Sequence, residues 1–278
     1  MLTVPQRFEG VGPLTEARKE SMGGLAKGLE VLLAFGHESP ELTLSEISEM
    51  TQLPPATARR CLLTLQELGY VGANKRQFFL TPKVLELSAA FLEALDVERL
   101  AMPHLTALAN ETGDAAAFTV LQGRDVVYLA RTSARMLMRL EAHVGSRFPA
   151  FCTANGRVLL AGRTDEQIDA YLRGPLPALT ELTVTDPKRL KKHILATRED
   201  GYAVVEDELA YGVISLAVPL RDANGKVVAS INSSGHSKRI DKPRMVAERL
   251  ELVRECGAAI SAELRHVPQI SRMLTDEP

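Results

Sequence analysis

"LPPATARRCLLTLQELGYV", residues 53–71, is the stretch that decides the fold. Pro54 and Pro55 suit the start of a helix, because a helix's first amides have no internal partner for proline to remove. Ala58, Cys61, Leu62, Leu65 and Leu68 recur at i, i+3, i+4, i+7 and i+10, which predicts one continuous buried stripe. Gly69 is the expected stop. Burying that stripe leaves Thr57, Arg59, Arg60 and Thr64 on or beside the exposed side, in the helix's first turns.

Upstream, Thr43-Leu44-Ser45-Glu46 has capping-box spacing and opens a helix expected to bury Leu44, Ile47 and, at its exit, Leu53. An earlier helix is read from a stripe of Leu25, Leu29, Leu32 and Leu33, closed by Gly36. Two helices joined by a short turn, the second offering polar and arginine side chains, form the helix-turn-helix layout whose second helix enters the major groove. Downstream, 70–73 and 77–80 read as short strands around Asn74-Lys75-Arg76, a wing with a positive tip. The candidate DNA-binding residues are therefore Ser45, Thr57, Arg59, Arg60, Lys75 and Arg76, since arginine can pair with guanine N7 and O6 or clamp phosphate. An isolated arginine pair would be a solvated helix face. The order of capped helix, turn, helix and basic hairpin favours DNA.

The chain has 278 residues, 45% of them hydrophobic, enough for about two domains. Its formal charge of −2 gives no overall basic field, so any DNA contact must be local. Sparse aromatics and the absence of tryptophan argue against a stacking platform for single strands. The first twenty residues are too charged for a signal peptide and no eighteen-residue apolar run occurs, so no membrane partner is expected and a cytoplasmic location is. Cys61, Cys152 and Cys256 are far apart and odd in number, which suits neither a disulfide framework nor a zinc site.

Beyond the wing, 83–95 reads as a rigid connecting helix with Val84, Leu87, Phe91 and Leu95 on one side. A helix through Leu105 and Leu108 stops at Gly113, and strands are expected at 116–122, 126–131 and 137–144. Helices follow at 153–161, 165–172 and 187–199. Strands 213–220 and 227–233 flank Asp222-Ala223-Asn224-Gly225, where Asn-Gly is read as supplying the positive φ values of a hairpin turn. A long helix, 243–264, closes an α+β chain with a mostly antiparallel sheet. No G-x-S-x-G, H-E-x-x-H, Walker A loop or G-x-G-x-x-G after a strand occurs, so no catalytic set, metal ligands or cofactor is expected.

One segment suggests a ligand. Gly145 to Pro149 reads as a tight irregular turn leading to Thr153-Ala154-Asn155-Gly156 at a helix start. Free amides there suit a carboxylate, and Gly156 would allow close approach. Equally, Thr153 would simply cap its own helix. Arg147 is a candidate counter-ion, or a surface partner of a nearby carboxylate.

The chain resembles the IclR family of bacterial transcription regulators over essentially its full length. The segments that carry the likeness are 53–71, "GSRFPAFCTANGRVLLAG" (145–162) and "GYAVVEDELAYGVISLAVPLRDANGKVVASINSSG" (201–235). Within the family it looks most like regulators of the β-ketoadipate pathway, which degrades protocatechuate and 4-hydroxybenzoate, through "LTPKVLELS", "GSRFPA" and "TVTDPKRL". The resemblance implies an N-terminal winged helix-turn-helix, a linker helix and a C-terminal effector-binding domain of GAF-like or profilin-like α/β form. The expected boundaries are a 1–20 extension, the DNA-binding domain at 21–82, the linker at 83–96, the effector-binding domain at 97–268 and a 269–278 tail.

It further implies a homodimer or pair of dimers on palindromic double-stranded operator DNA, controlled by a small organic acid, aromatic or dicarboxylic. Carried over position by position, the family's effector site points to Leu137, Ala154, Asn155, Val213, Ser215, Asn232 and Ser234, beside Arg147, Thr153 and Gly156 read above. Ser215 departs from the cysteine many members have. Val205 stands where several have an acidic residue ahead of the glutamate matched by Glu208. Two other classes compete with a ligand-responsive regulator: a small-molecule enzyme with an accessory helical domain, and a protein–protein module that dimerises through its first domain.

Overall fold

A computed structural model describes residues 22–132 and 142–274. The chain divides into two compact units, the boundary falling between Phe91 and Leu92.

The first unit contains α1 (Gly23–Leu33), β1 (Glu41–Thr43), α2 (Leu44–Thr51), α3 (Pro55–Glu67), β2 (Val71–Asn74) and β3 (Gln77–Leu80). The capping box forms as the spacing requires: Thr43 Oγ1 accepts from the Glu46 amide at 3.4 Å, and Glu46 Oε2 accepts from the Thr43 amide at 2.7 Å. The Thr43 amide, and the Thr43 hydroxyl beside it, donate to the Glu46 carboxyl and hold it below its usual range. Gln52 ends α2 in the left-handed region, and the Ser48 hydroxyl donates to the Leu53 carbonyl at 2.6 Å. Only Gln52, Leu53 and Pro54 then separate the two helices. At the far end of α3, Gly69 has φ +82°, and Lys83 Nζ donates to the Leu68 carbonyl at 3.0 Å. The core joins Val31, Phe35, Leu42, Ile47, Ala58, Leu62, Leu65 and Val71.

Several expectations fail here for packing reasons. Leu25, Leu29 and Leu33 are 62%, 48% and 42% exposed, because α1 turns Val31 toward the core and Phe35 follows it. Leu68 caps α3 from outside and lies 53% exposed, so the buried stripe ends at Leu65. β1 pairs with β3 in the order β1-β3-β2, a third strand too short for any periodicity to announce.

The unit boundary lies inside α4 (Leu85–Leu95), which a 3₁₀ turn, Pro82–Val84, precedes. Of its expected apolar side only Leu95 is buried; Leu87 and Phe91 are exposed.

The second unit contains α5 (Val97–Thr112), β4 (Ala115–Gln122), β5 (Asp125–Arg131), β6 (Arg147–Pro149), α6 (Ala154–Ala161), α7 (Asp165–Leu172), α8 (Pro187–Asp200), β7 (Ala203–Glu206), β8 (Val213–Arg221), β9 (Val227–His236), α9 (Lys242–Leu264) and α10 (Pro268–Met273). Its six strands form one antiparallel sheet in the order β6-β5-β4-β9-β8-β7. Strand alternation splits the residues between two faces. Phe118, Leu216, Val218 and Ile231 meet α5 and α9 on one, while Ala203, Val205 and Ala217 meet Ala154 and Val158 of α6 on the other.

β6 occupies part of what reads as an irregular turn; Gly145, φ +87°, makes the turn just before it. Ala142 to Val144 are not strand, and the rest of the expected 137–144 strand lies outside the described residues. Between β8 and β9 only Gly225 has positive φ; Asn224 does not. The Asp222 amide donates to Lys226 O at 3.0 Å and the register shifts at Arg221, so the hairpin closes through a bulge rather than a two-residue Asn-Gly turn.

Two buried ion clusters tie the layers together. The Asp114 side chain, fully buried, accepts from Arg239, from Arg249 Nε at 3.1 Å and from the Ser233 hydroxyl at 3.0 Å. Arg157 Nη2 and Glu208 Oε2 meet at 2.6 Å with both side chains 5% exposed. Removing one member of a buried pair strands the other's charge. Asp114→Ala is therefore expected to lower the second unit's unfolding free energy by about 3 kcal/mol or more in a denaturant titration; a loss within experimental error would show that the arginines need no counter-charge.

Candidate functional site

In the first unit, α3 exposes Arg59 and Arg60, with Thr57 partly covered near its start. Lys75 and Arg76 form the whole two-residue turn of the β2–β3 hairpin, since Asn74 pairs with Gln77. None of these four basic side chains has a hydrogen-bond or ion-pair partner among the described residues. Ser45 is exposed in the first turn of α2. Lys75 has φ +55°, a left-handed conformation that costs a non-glycine residue about 1 kcal/mol. A lysine held there, where glycine would be relaxed, keeps a charge at the tip at the expense of the backbone.

In the second unit, β9 lies between β4 and β8, and directly opposed residues share a face. Asn232 is flanked by Ala117 and Ala217, and Ser234 by Ala115 and Ser215. The result is a floor of residues that end at or near Cβ, with polar groups only at Asn232, Ser215 and Ser234. Asn232 is 3% exposed; its Nδ2 donates to Ser215 Oγ at 2.8 Å, while Oδ1 is buried with no partner. Whichever way the amide is turned, one arm is unmatched, and an unmatched buried polar group costs about 1–3 kcal/mol. Val213 lies on the same strand face as Ser215, two residues away.

The helix-start residues divide. Ala154 packs against Ala217 on this face. Asn155 is bound into a buried polar triad instead: its Nδ2 donates to Thr119 Oγ1 at 2.6 Å, and Thr119 and Ser230 hydroxyls meet at 2.8 Å. Thr153 Oγ1 accepts from the Gly156 amide at 3.1 Å, the cap expected of it. Gly156 faces no open ligand space: a Cβ added there would lie 2.0 Å from the Ala150 carbonyl oxygen, so the close approach it permits is to the chain's own backbone. Arg147 is likewise spent. It donates to Asp125 Oδ2 at 3.2 Å and to Gln122 Oε1 at 2.6 Å, on β6, three strands and roughly 14 Å from β9. The counter-ion role fails because its guanidinium is already neutralised. Leu137 lies outside the described residues.

Residues 24–74 match the IclR helix-turn-helix domain, and residues 89–262 match the C-terminal domain of the bacterial transcriptional regulator IclR. The chain belongs to the IclR family. The Pca regulon regulatory protein of Pseudomonas putida is 38% identical over 88% of this chain and 84% of its own. The p-hydroxybenzoate hydroxylase transcriptional activator of Acinetobacter baylyi is 32% identical, over 86% and 91%. Among solved structures, an IclR homolog from Microbacterium hydrocarbonoxydans complexed with 4-hydroxybenzoate superposes with a TM-score of 0.74 at 26% identity, covering 87% of this chain and 99% of that one.

An IclR-family regulator needs a DNA-reading element and a ligand-reading sheet, and this chain has both architectures. Burial, aided by the nearby Glu208 carboxylate, pushes the Cys152 thiol up to about 12, and burial alone does the same to Cys256. No described helix is long and apolar enough to cross a membrane. The Thr119–Ser230–Asn155 triad and the alanine floor escaped the sequence reading; the run Ala115-Ala116-Ala117 within a strand was the available signal.

Gly156→Ala is expected to destabilise the second unit by about 3 kcal/mol or more through the clash with Ala150, measured by thermal or chemical melting. Lys75→Gly should instead stabilise the first unit by about 1 kcal/mol. A destabilised Lys75→Gly protein would mean that the tip lysine makes a structural contact.

Proposed function

We propose that this protein is a regulator of aromatic-acid catabolism, with a hydroxybenzoate-type acid as effector, bound over the sheet between Asn232, Ser215 and Ser234. The observation that carries the reading is the unmatched amide arm of Asn232. A phenolic hydroxyl donating to Oδ1 satisfies it, and the Ser215 hydroxyl, whose oxygen already accepts from Asn232, keeps its proton for a carboxylate or a second ring hydroxyl. The short side chains of Ala115, Ala117 and Ala217 make that face apolar and low, as suits the wall of a site for an aromatic ring. The regulators of the Pca regulon and of p-hydroxybenzoate hydroxylase, and the 4-hydroxybenzoate complex of the Microbacterium homolog, support that class.

DNA is read by α3 and the wing, with Arg59 and Arg60 in the major groove, Lys75 and Arg76 on the flanking backbone, and Ser45 and Thr57 on phosphate. A homodimer would set two α3 helices against two half-sites of a palindromic operator. The DNA-binding domain is placed at 21–82, the linker at 83–96 and the effector-binding domain at 97–268. Effector and operator affinities must be coupled reciprocally: each changes the other by the same factor.

Fluorescence anisotropy with a duplex from upstream of the protein's own gene and a scrambled duplex tests both halves. Arg60→Ala should weaken operator binding by about 1–3 kcal/mol and relax preference, whereas Lys75→Ala should weaken both duplexes alike. Equal losses for both variants on both duplexes would remove base reading by Arg60. Asn232→Leu should retain operator binding but lose its dependence on 4-hydroxybenzoate or protocatechuate; an unchanged response would move the effector off β9.

A further inference from the structure

One line of directly opposed residues crosses five strands of the second unit's sheet: Arg131 on β5, Ala117 on β4, Asn232 on β9, Ala217 on β8 and Ala203 on β7. Opposed residues share a face. Ala203 and Ala217 pack against Ala154 and Val158, so the line lies on the α6 side. Arg131 reaches that side because β5 bulges beside Phe118 and Thr119: Leu129 and Ala130 both pack toward α5 and α9, and the next residue turns back. Arg131 and Asn232 are two strand spacings apart, about 10 Å, with Ala117 between them.

Arg131 is half-buried. Its Nη1 donates to the Ala142 carbonyl at 2.6 Å, while Nε and Nη2 have no hydrogen-bond partner and the guanidinium no carboxylate among the described residues. Other covered arginines of this unit are matched, Arg147 by Asp125, Arg157 by Glu208 and Arg249 by Asp114. A guanidinium taken partly out of water and given one neutral carbonyl in return lacks a counter-charge. The bond to Ala142 keeps it over the sheet, since Ala142 packs in one cluster with Ala117 and Tyr128. Burial pushes the Tyr128 phenol up to about 12, and the Arg131 charge opposes that rise, which places the guanidinium near the same patch. The Tyr128 hydroxyl also has no hydrogen-bond partner among the described residues.

We infer that Arg131 is the counter-ion for the effector's carboxylate, with the ring lying over Ala117 and the para hydroxyl meeting Asn232. The inference rests on the aromatic-acid reading and gives the ligand a direction across the sheet. The β5 end offers N–H donors and positive charge, which a carboxylate needs. The β9 end offers the unmatched amide arm of Asn232, which a phenolic hydroxyl satisfies. A para-substituted ring holds its two polar groups rigidly apart in the same sense. Ser215, bound to Asn232 from β8, is then left for a second ring hydroxyl such as that of protocatechuate.

Isothermal titration of the full chain at neutral pH with 4-hydroxybenzoate and with 4-hydroxybenzamide tests the assignment, because the amide keeps the ring and hydroxyl but carries no charge. Wild type is expected to bind the acid about tenfold or more tighter than the amide, and Arg131→Gln to lose that preference while its amide affinity stays within about threefold. An arginine serving only the Ala142 segment would weaken both ligands alike when replaced. Equal weakening, or a preference for the acid that survives in Arg131→Gln, would overturn the counter-ion. If Arg131→Gln melts below wild type, Arg131→Lys decides: it keeps the charge and must still prefer the acid, and an absent preference overturns the assignment. Equal affinity of wild type for acid and amide would overturn Arg131 while leaving a ring site in place. Absence of saturation by either ligand at millimolar concentration would remove the aromatic-acid reading, and the assignment with it.

Discussion

The buried carboxylate of Asp114 is the interaction on which the second unit turns. It sits where α5 ends at the left-handed Gly113 and β4 begins, and it gathers Ser233 from β9, Arg249 from α9 and Arg239 from the segment between them. Arg249 also donates to the Thr112 carbonyl at 3.2 Å, so the same guanidinium closes the C-terminus of α5. Two arginines and a hydroxyl around one carboxylate fill three of its four lone-pair sites. Gly235 has no side chain because a Cβ there would lie 2.8 Å from Asp114 Oδ1. The sheet, α5 and α9 are thus registered at one point.

That point is adjacent in sequence and structure to the face proposed to bind the effector. Ser233, bound to Asp114, lies between Asn232 and Ser234, which point the opposite way. The other side of the same strand is clamped through Asp114 to α5 and α9. The buried Arg157–Glu208 pair performs the corresponding service on the α6 side: Glu208 also accepts from the Val184 amide at 3.1 Å, and Arg157 Nε donates to the Phe151 carbonyl at 3.1 Å. Both charges are matched and hydrogen-bonded, the condition under which a buried ion pair is tolerated.

What the sequence made legible was local. The Thr43 capping box, the double proline before α3, the Gly69 stop and the basic hairpin all depend on residues within a turn of one another. β8 and β9 were readable as the strands flanking the Asp222–Gly225 turn residues. The failures are non-local. β1, β6 and β7 have only three or four residues each and owe their existence to a partner strand, so no period marks them. Leu25, Leu29 and Leu33 form a plausible stripe, but Val31 and Phe35 define the side that α3 covers. Gly156 and Arg147 invited a ligand reading because glycine and arginine serve ligands and backbone equally; only the neighbouring Ala150 carbonyl and Asp125 carboxylate distinguish the two. Asn232, Ser215 and Ser234 were reached through resemblance rather than periodicity, and their juxtaposition is a matter of strand register.

The alanine floor has an evolutionary consequence. Ala115 and Ala117 on β4 and Ala217 on β8 project little beyond the backbone of the two strands that flank β9, so what packs above them is sensitive to side-chain size. Single-nucleotide changes turn alanine codons into valine, serine, threonine or glycine, each altering the cavity by one or two heavy atoms while the ladder hydrogen bonds persist. On the proposed effector reading, a lineage can therefore walk from one ring substitution pattern to another in small steps, each leaving a folded protein for selection to act on. The clamp at Asp114 supplies the robustness, and the bare strands supply the variation.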